Sequence, residues 1–232
     1  MVHVYFIDNN PTAVGALQRA FAGVAGVTVM RGDICKPPVQ GHDVAIATAA
    51  NSFGAMNGGV DGFVNTFLSA RDGSRYMSDD VKEAIAREYG GEQPVGTCLL
   101  LPTQNYTIGW LAHAVTVRVP KPIPTTYNAY LAFRAVLVAC RKQGGIRYIV
   151  CPMFCSGSGE MPHDVAARQM RFAFDQVNNF AAAFAAAPTK ATAGDWQDIW
   201  RAERILEAMT TGAHSRSPQA PSDALSGTPA CA

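Results

Sequence analysis

The chain has 232 residues, 48% of them hydrophobic, and a formal net charge of +1. That length supplies a full core for one large or two small domains, and the near-zero charge gives no global reason for nucleic-acid or membrane affinity. No stretch reaches the roughly 18 apolar residues of a membrane span. The run 2–7 is an apolar strand with no basic flank or cleavage-site pattern, so it reads as a first strand and not as a signal peptide. Pro11 or Thr12 opens a helix that buries Val14, Leu17 and Phe21 at helical spacing. A short strand over 27–30 leads to Gly32-Asp33-Ile34, and Pro37-Pro38 marks a loop. The run 44–47 is too apolar to be half exposed, which predicts a central parallel strand.

A polar loop, 48–61, follows that strand, and a helix is predicted from Asp61 to about residue 70, ended by Gly73. Ser78, with Asp79 and Asp80, is the expected cap of the next helix, which Gly90-Gly91 stops. Strands over 95–101 and 110–119, joined through Pro102-Thr103-Gln104-Asn105, form a candidate hairpin. Thr125 or Thr126 caps a helix to about Lys142, and Gly144-Gly145 closes it. The strand 146–151 leads into a second glycine loop, 155–160, and Pro162 opens another helix, which the alanine-rich run 181–187 extends. Asp195 is the expected cap of a last helix, with Trp196 and Trp200 as packing anchors. Residues 212–232 hold few large apolar side chains and read as disordered. Strand and helix alternate almost throughout, so the class is α/β with a mostly parallel or mixed sheet, and 1–211 is taken as one unit.

Six cysteines stand at 35, 98, 140, 151, 155 and 231. Without a secretion signal they read as reduced core thiols of a cytoplasmic protein, and Cys151 and Cys155 have no second pair with which to hold zinc. No metal and no cofactor is expected.

Two polar glycine loops, at 51–61 and 155–160, end strands. In an open α/β sheet such loops form the binding crevice, and their backbone N–H groups suit a diphosphate. No GxxxxGK[ST] motif and no lysine occurs in either loop, which argues against metal-assisted phosphoryl transfer. Asp33 is either an acceptor for a base amino group or a turn residue bonded to its own backbone. Asn51 offers donor and acceptor together for sugar hydroxyls, or makes an Asx-turn. Asp61 is a base or water-orienting group, or a helix-dipole carboxylate. Glu160 lines the crevice or faces water. His113, between Ala112 and Ala114, reads as a satisfied core histidine, and His163 as a surface capping residue.

Taken in order, Gly32-Asp33-Ile34, Ala49-Ala50-Asn51 with Gly58-Gly59-Val60-Asp61, Trp110 to Val115, and Ser156-Gly157 to Pro162 resemble a macrodomain over roughly 27–180. The stretches SFGAMNGGVD and GTCLLLPTQN are most similar to a subgroup from bacteria and large phages, in which the strand–helix at 2–22 is an amino-terminal addition. The resemblance implies a three-layer α/β/α fold that binds ADP-ribose. It implies that Asp33 reads the adenine amino group beside Ile34, and that Asn51 meets the distal ribose. Asn57, Gly58, Gly59 and Val60 would wrap the diphosphate and distal ribose. Ser156, Gly157, Ser158, Gly159 and Glu160 would form the second phosphate loop. Asp61 falls where hydrolytic members carry the aspartate that activates water.

Thr48, Met56, Asn57, Gly159 and Glu160 depart from the family's usual residues. The expected activity is release of ADP-ribose from an acidic side chain or related ester, with an ADP-ribosylated protein, or an ADP-ribosylated nucleic-acid end, as partner. The alternatives are a reader without turnover and a methyltransferase-like domain; the second lacks a GxGxG before Asp8.

Overall fold

The computed structural model describes residues 2–69, 74–186 and 196–211. Among them, six strands form one sheet and six helices cover it. In chain order these are β1 (His3–Asp8), α1 (Pro11–Ala20), β2 (Val27–Arg31), β3 (Gly41–Asn51), α2 (Gly59–Leu68) and α3 (Met77–Tyr89). There follow β4 (Cys98–Pro102), β5 (Ile108–Val117), α4 (Asn128–Gln143), β6 (Tyr148–Cys151), α5 (His163–Ala186) and α6 (Trp196–Thr210).

The strand order is β2-β1-β6-β3-β5-β4, and every pairing is parallel except the β4–β5 hairpin. β3 lies between β6 and β5, as its apolar run requires, and extends well beyond the expected 44–47. The sheet separates two cores. Phe6, Leu17, Phe133, Phe154 and Met170 pack on the face carrying α1, α4 and α5. Ile46, Met56, Val64, Val81 and Leu111 pack on the face carrying α2 and α3. A helix layer on each face of a mostly parallel sheet is the three-layer α/β/α arrangement.

Several local readings change. The cap of α3 is Tyr76, two residues before the expected Ser78: Asp79 accepts from the Tyr76 N–H at 3.2 Å, while the Ser78 N–H donates to Asn65 Oδ1 at 2.9 Å. Tyr127, not Thr125 or Thr126, precedes α4, because the Thr126 hydroxyl is spent on the Ile123 carbonyl. Trp196 and Trp200 are exposed, and Leu206 is the buried residue of α6, so the tryptophans are not packing anchors. Gly73, Asp195 and 212–232, about which the sequence carried expectations, lie outside the described residues.

The amino-terminal strand is inserted into the sheet. β1 pairs with β2 on one side and β6 on the other. Its insertion sets β2, and the Gly32-Asp33-Ile34 turn after it, one strand farther from β6, about 4.8 Å. The consequence falls on the site.

Candidate functional site

A cavity of about 450 Å³ opens across the carboxyl ends of β1, β6, β3 and β5. That is within the usual range for a small-molecule site, at the edge where parallel sheets place one. Both glycine loops line it, through Asn57 to Asp61 and Cys155 to Gly159.

The first loop is pinned by Asn51. Its Oδ1 accepts from the N–H groups of Phe53 (3.0 Å) and Ala55 (3.3 Å), and its Nδ2 donates to the Ala55 carbonyl at 3.0 Å. This is the Asx-turn reading, realised at a residue that also lines the cavity. Asn65 ties the loop down from α2 by donating to the Met56 carbonyl. The helix then starts from Gly58 with no side-chain cap, leaving first-turn N–H groups and the positive dipole end for an anion.

The second loop is tight. A Cβ on Gly159 would stand 2.5 Å from the Cys155 carbonyl oxygen, so only glycine fits. Cys155 and Glu160 both hold positive φ, 63° and 50°. Glu160 takes this left-handed backbone at the position where the resemblance expects glycine, a conformation a non-glycine residue adopts only when its surroundings impose it. Those surroundings are hydrogen bonds from the Glu160 N–H to the Gly157 carbonyl and from the Met161 N–H to the Cys155 carbonyl.

Asp61 lines the cavity from the first turn of α2 yet is only 8% exposed. Burial pushes its carboxyl up from 3.8 to about 6, because the charged form loses its water. The neighbouring Thr48 hydroxyl offsets part of this, although the two do not reach hydrogen-bond geometry. Behind it, on β5, His113 is fully buried, and desolvation pushes its imidazole down to about 4. Its Nδ1 lies 2.8 Å from Gln93 Oε1, whereas its Nε2 has no partner. His113 is therefore only half satisfied, not the fully satisfied core residue the sequence suggested.

Asn51, Asn57, Gly58, Gly59, Val60 and Asp61 are brought together with Ser156, Gly157, Ser158 and Gly159 around this one cavity. Asp33, Ile34 and Glu160 are not among its lining residues. Asp33 accepts from the Cys35 N–H at 2.9 Å and pairs with Lys36, the turn reading of that residue, and Ile34 is buried in the α2–α3 core. The β1 end supplies Asp8, Asn9 and Asn10 instead. Asp8 accepts from the Asn10 N–H at 2.9 Å and from the Met153 N–H at 3.3 Å, which ties the β1 end to the segment after β6. The sequence signal existed, a strand ending in Asp-Asn-Asn-Pro. It does not point to the cavity by itself, because the position of β1 in the sheet is not visible in one chain. No aromatic side chain lines the cavity among the described residues.

The family model described as Macro domain matches residues 47–170, more than half of the chain. The protein belongs to the Macro domain family. No curated protein matches it. Among solved structures it is similar to the macrodomain of Mycobacterium tuberculosis DarG, at 16% identity and a TM-score of 0.51 over 63% of this chain and 88% of that one. It is also similar to a mutant Oceanobacillus iheyensis macrodomain with ADPR, at 19% identity and a TM-score of 0.48 over 62% and 74%. Thermosipho africanus DarTG in complex with ADP-ribose matches at 16% identity and a TM-score of 0.47, over 60% and 36%. At 16% identity the likeness to the first is one of fold.

Proposed function

We propose that the protein binds an ADP-ribose group across this cavity and hydrolyses the ester that joins it to an acidic side chain. The observation that carries the reading is Asp61: a nearly buried carboxyl set between two loops built to receive a diphosphate. The N–H groups at the start of α2 and in the 156–159 loop hold the phosphates, and the distal ribose lies toward Asn51 and Asp61. The ionised Asp61 takes a proton from water as that water attacks the ester, and a carboxyl near 6 is matched to this at neutral pH. The adenine end extends toward β1, where Asp8 is placed to accept from an exocyclic amino group. This reading moves that role from Asp33 to Asp8. An ADP-ribosylated protein is the natural substrate, and an ADP-ribosylated nucleic-acid end carries the same recognised group. The buried, free thiols Cys140, Cys151 and Cys155 fit the expected reducing, cytoplasmic setting.

A second reading is favoured by Asn51. Its amide is already engaged by its own loop, which leaves less of it for orienting substrate and suits a reader that binds without turnover. One experiment separates the two. ADP-ribose is titrated by calorimetry, and the same protein is incubated with a glutamate-linked mono-ADP-ribosylated protein. Hydrolysis predicts ADP-ribose release that rises with pH through about 6 and falls by at least about 100-fold in Asp61→Asn, with binding retained. Binding without release selects the reader, and no binding by folded protein ends both readings.

A further inference from the structure

Three buried polar atoms on one side of the sheet lack hydrogen-bond partners: Thr48 Oγ1, Asp61 Oδ1 and His113 Nε2. Their residues are 0%, 8% and 0% exposed. Thr48 and His113 are direct partners in the β3–β5 register, on strands about 4.8 Å apart. Ile46 and Leu111, two residues before each, belong to the α2–α3 core, so Thr48 and His113 face the layer from which Asp61 descends. Buried polar groups are normally paired, and three neighbouring exceptions call for a common account.

The tautomer of His113 follows from its neighbours. The Thr97 hydroxyl donates to the Pro94 carbonyl at 2.7 Å, so toward Gln93 it accepts. Gln93 Nε2 therefore faces two acceptors, Thr97 Oγ1 and the His113 carbonyl, and Gln93 Oε1 faces the ring. His113 Nδ1 must carry the proton and donate to Gln93 Oε1, which leaves Nε2 as a bare acceptor.

With Asp61 ionised, the cluster holds two buried acceptors, Asp61 Oδ1 and His113 Nε2, and one donor, the Thr48 hydroxyl. One acceptor stays unpaired, which is costly in a dry site. With a proton on Asp61 the count closes: the carboxyl O–H donates to Thr48 Oγ1, and the Thr48 O–H donates to His113 Nε2. We propose that His113, through the Thr48 hydroxyl, is a positioning residue for Asp61, the three side chains forming one buried hydrogen-bond chain that is complete only when Asp61 carries a proton. Gln93 sets its direction. In the proposed reaction this chain receives the proton taken from water, and that consequence rests on the hydrolytic reading.

Among the described residues, Asp8 lines the same cavity as Asp61 but accepts from the Asn10 and Met153 N–H groups, and Tyr5, Cys35, Tyr89 and Tyr148 pack half-buried against the same core. Asp79, Lys82, Glu83, Arg87 and Glu88 of α3 are exposed, and Asp80 pairs with Arg75. His42 and Asp43 lie at the opposite end of β3, Asp43 paired with Arg147. Cys98 of β4 packs on the other face of the sheet, and Glu92 pairs with Arg118 at the surface.

The test uses the full chain with nitrogen-15 histidine and carbon-13 carboxyl aspartate, followed by NMR from pH 4.5 to 8. The expected result is a His113 ring protonated on Nδ1, whose Nε2 signal moves with the same midpoint as the Asp61 carboxyl. In Thr48→Val, Asp61 still titrates and the Nε2 movement is lost. In Asp61→Asn, whose amide replaces the acid as donor, Nε2 stays at its low-pH position throughout. A proton on Nε2, an Nε2 signal flat through the Asp61 titration, or coupling unchanged in Thr48→Val overturns the proposal. If Thr48→Val fails to fold, the wild-type and Asp61→Asn spectra decide. None of these readouts needs turnover, so absence of ADP-ribose release overturns the hydrolytic reading without touching this one.

Discussion

Asp61 shows how one buried side chain links site and stability. Its folded-state pKa, about 6, lies above the 3.8 of an ordinary aspartate. The folded state therefore binds the proton more tightly than the unfolded state. The stability Asp61 contributes is full below about pH 4 and is lost as pH rises through about 6. His113 runs the other way: its pKa is depressed from 6.5 to about 4, so its contribution is full above 6.5 and lost as pH falls through 4. Asp61→Asn removes only the first effect. We expect the variant to be more stable than wild type at pH 7.5, by up to about 3 kcal/mol, and equal to it at pH 4. Denaturant unfolding at the two pH values checks this, and an equal gain at both would mean that charge burial is not the cause.

Two glycines of the loops differ in the space around them. A Cβ at Gly58 meets nothing within 4 Å and its φ is −154°, whereas at Gly159 it meets the Cys155 carbonyl oxygen at 2.5 Å. Gly159→Ala should cost about 2 kcal/mol in thermal or denaturant unfolding, and Gly58→Ala less than about 0.5. Weakened ADP-ribose binding in stable Gly58→Ala would then report close approach of the ligand to the backbone.

At the scale of elements, the insertion of β1 between β2 and β6 decides which acidic residue meets the cavity. Asp33 stands at the end of an edge strand and satisfies its own turn, while Asp8 stands at the end of the strand beside β6. We expect Asp8→Ala to weaken ADP-ribose binding by about ten-fold, as loss of one charge-assisted hydrogen bond does, and Asp33→Ala to change it by less than about two-fold. Calorimetric titration of both variants decides between them, and the reverse order would restore the adenine role to Asp33. The placement of this element was invisible in the chain read singly. The pattern of residues 2–7 announces an apolar strand, but nothing in it tells which neighbours it takes.

For the whole molecule, α6 presents Trp196 and Trp200 outward while Leu206 packs inward. Replacing either tryptophan by alanine should change unfolding free energy by less than about 0.5 kcal/mol, whereas Leu206→Ala should cost about 2 or more. Chemical denaturation of the three variants checks the assignment.

The sequence by itself determined the α/β class and the pair of glycine loops, because each rests on local chemistry: apolar periodicity for strand and helix, glycine and asparagine for turns. It also marked Asp61 and Asn51, since their loop carries its own signature within a dozen residues. Only the tertiary structure decided that Asp8 replaces Asp33 at the cavity, that Gln93 orients His113, and that Thr48, Asp61 and His113 share one buried face. These are matters of strand order and register between segments tens of residues apart. A one-residue change of register would send Thr48 or His113 to the other face, and no local propensity specifies that choice.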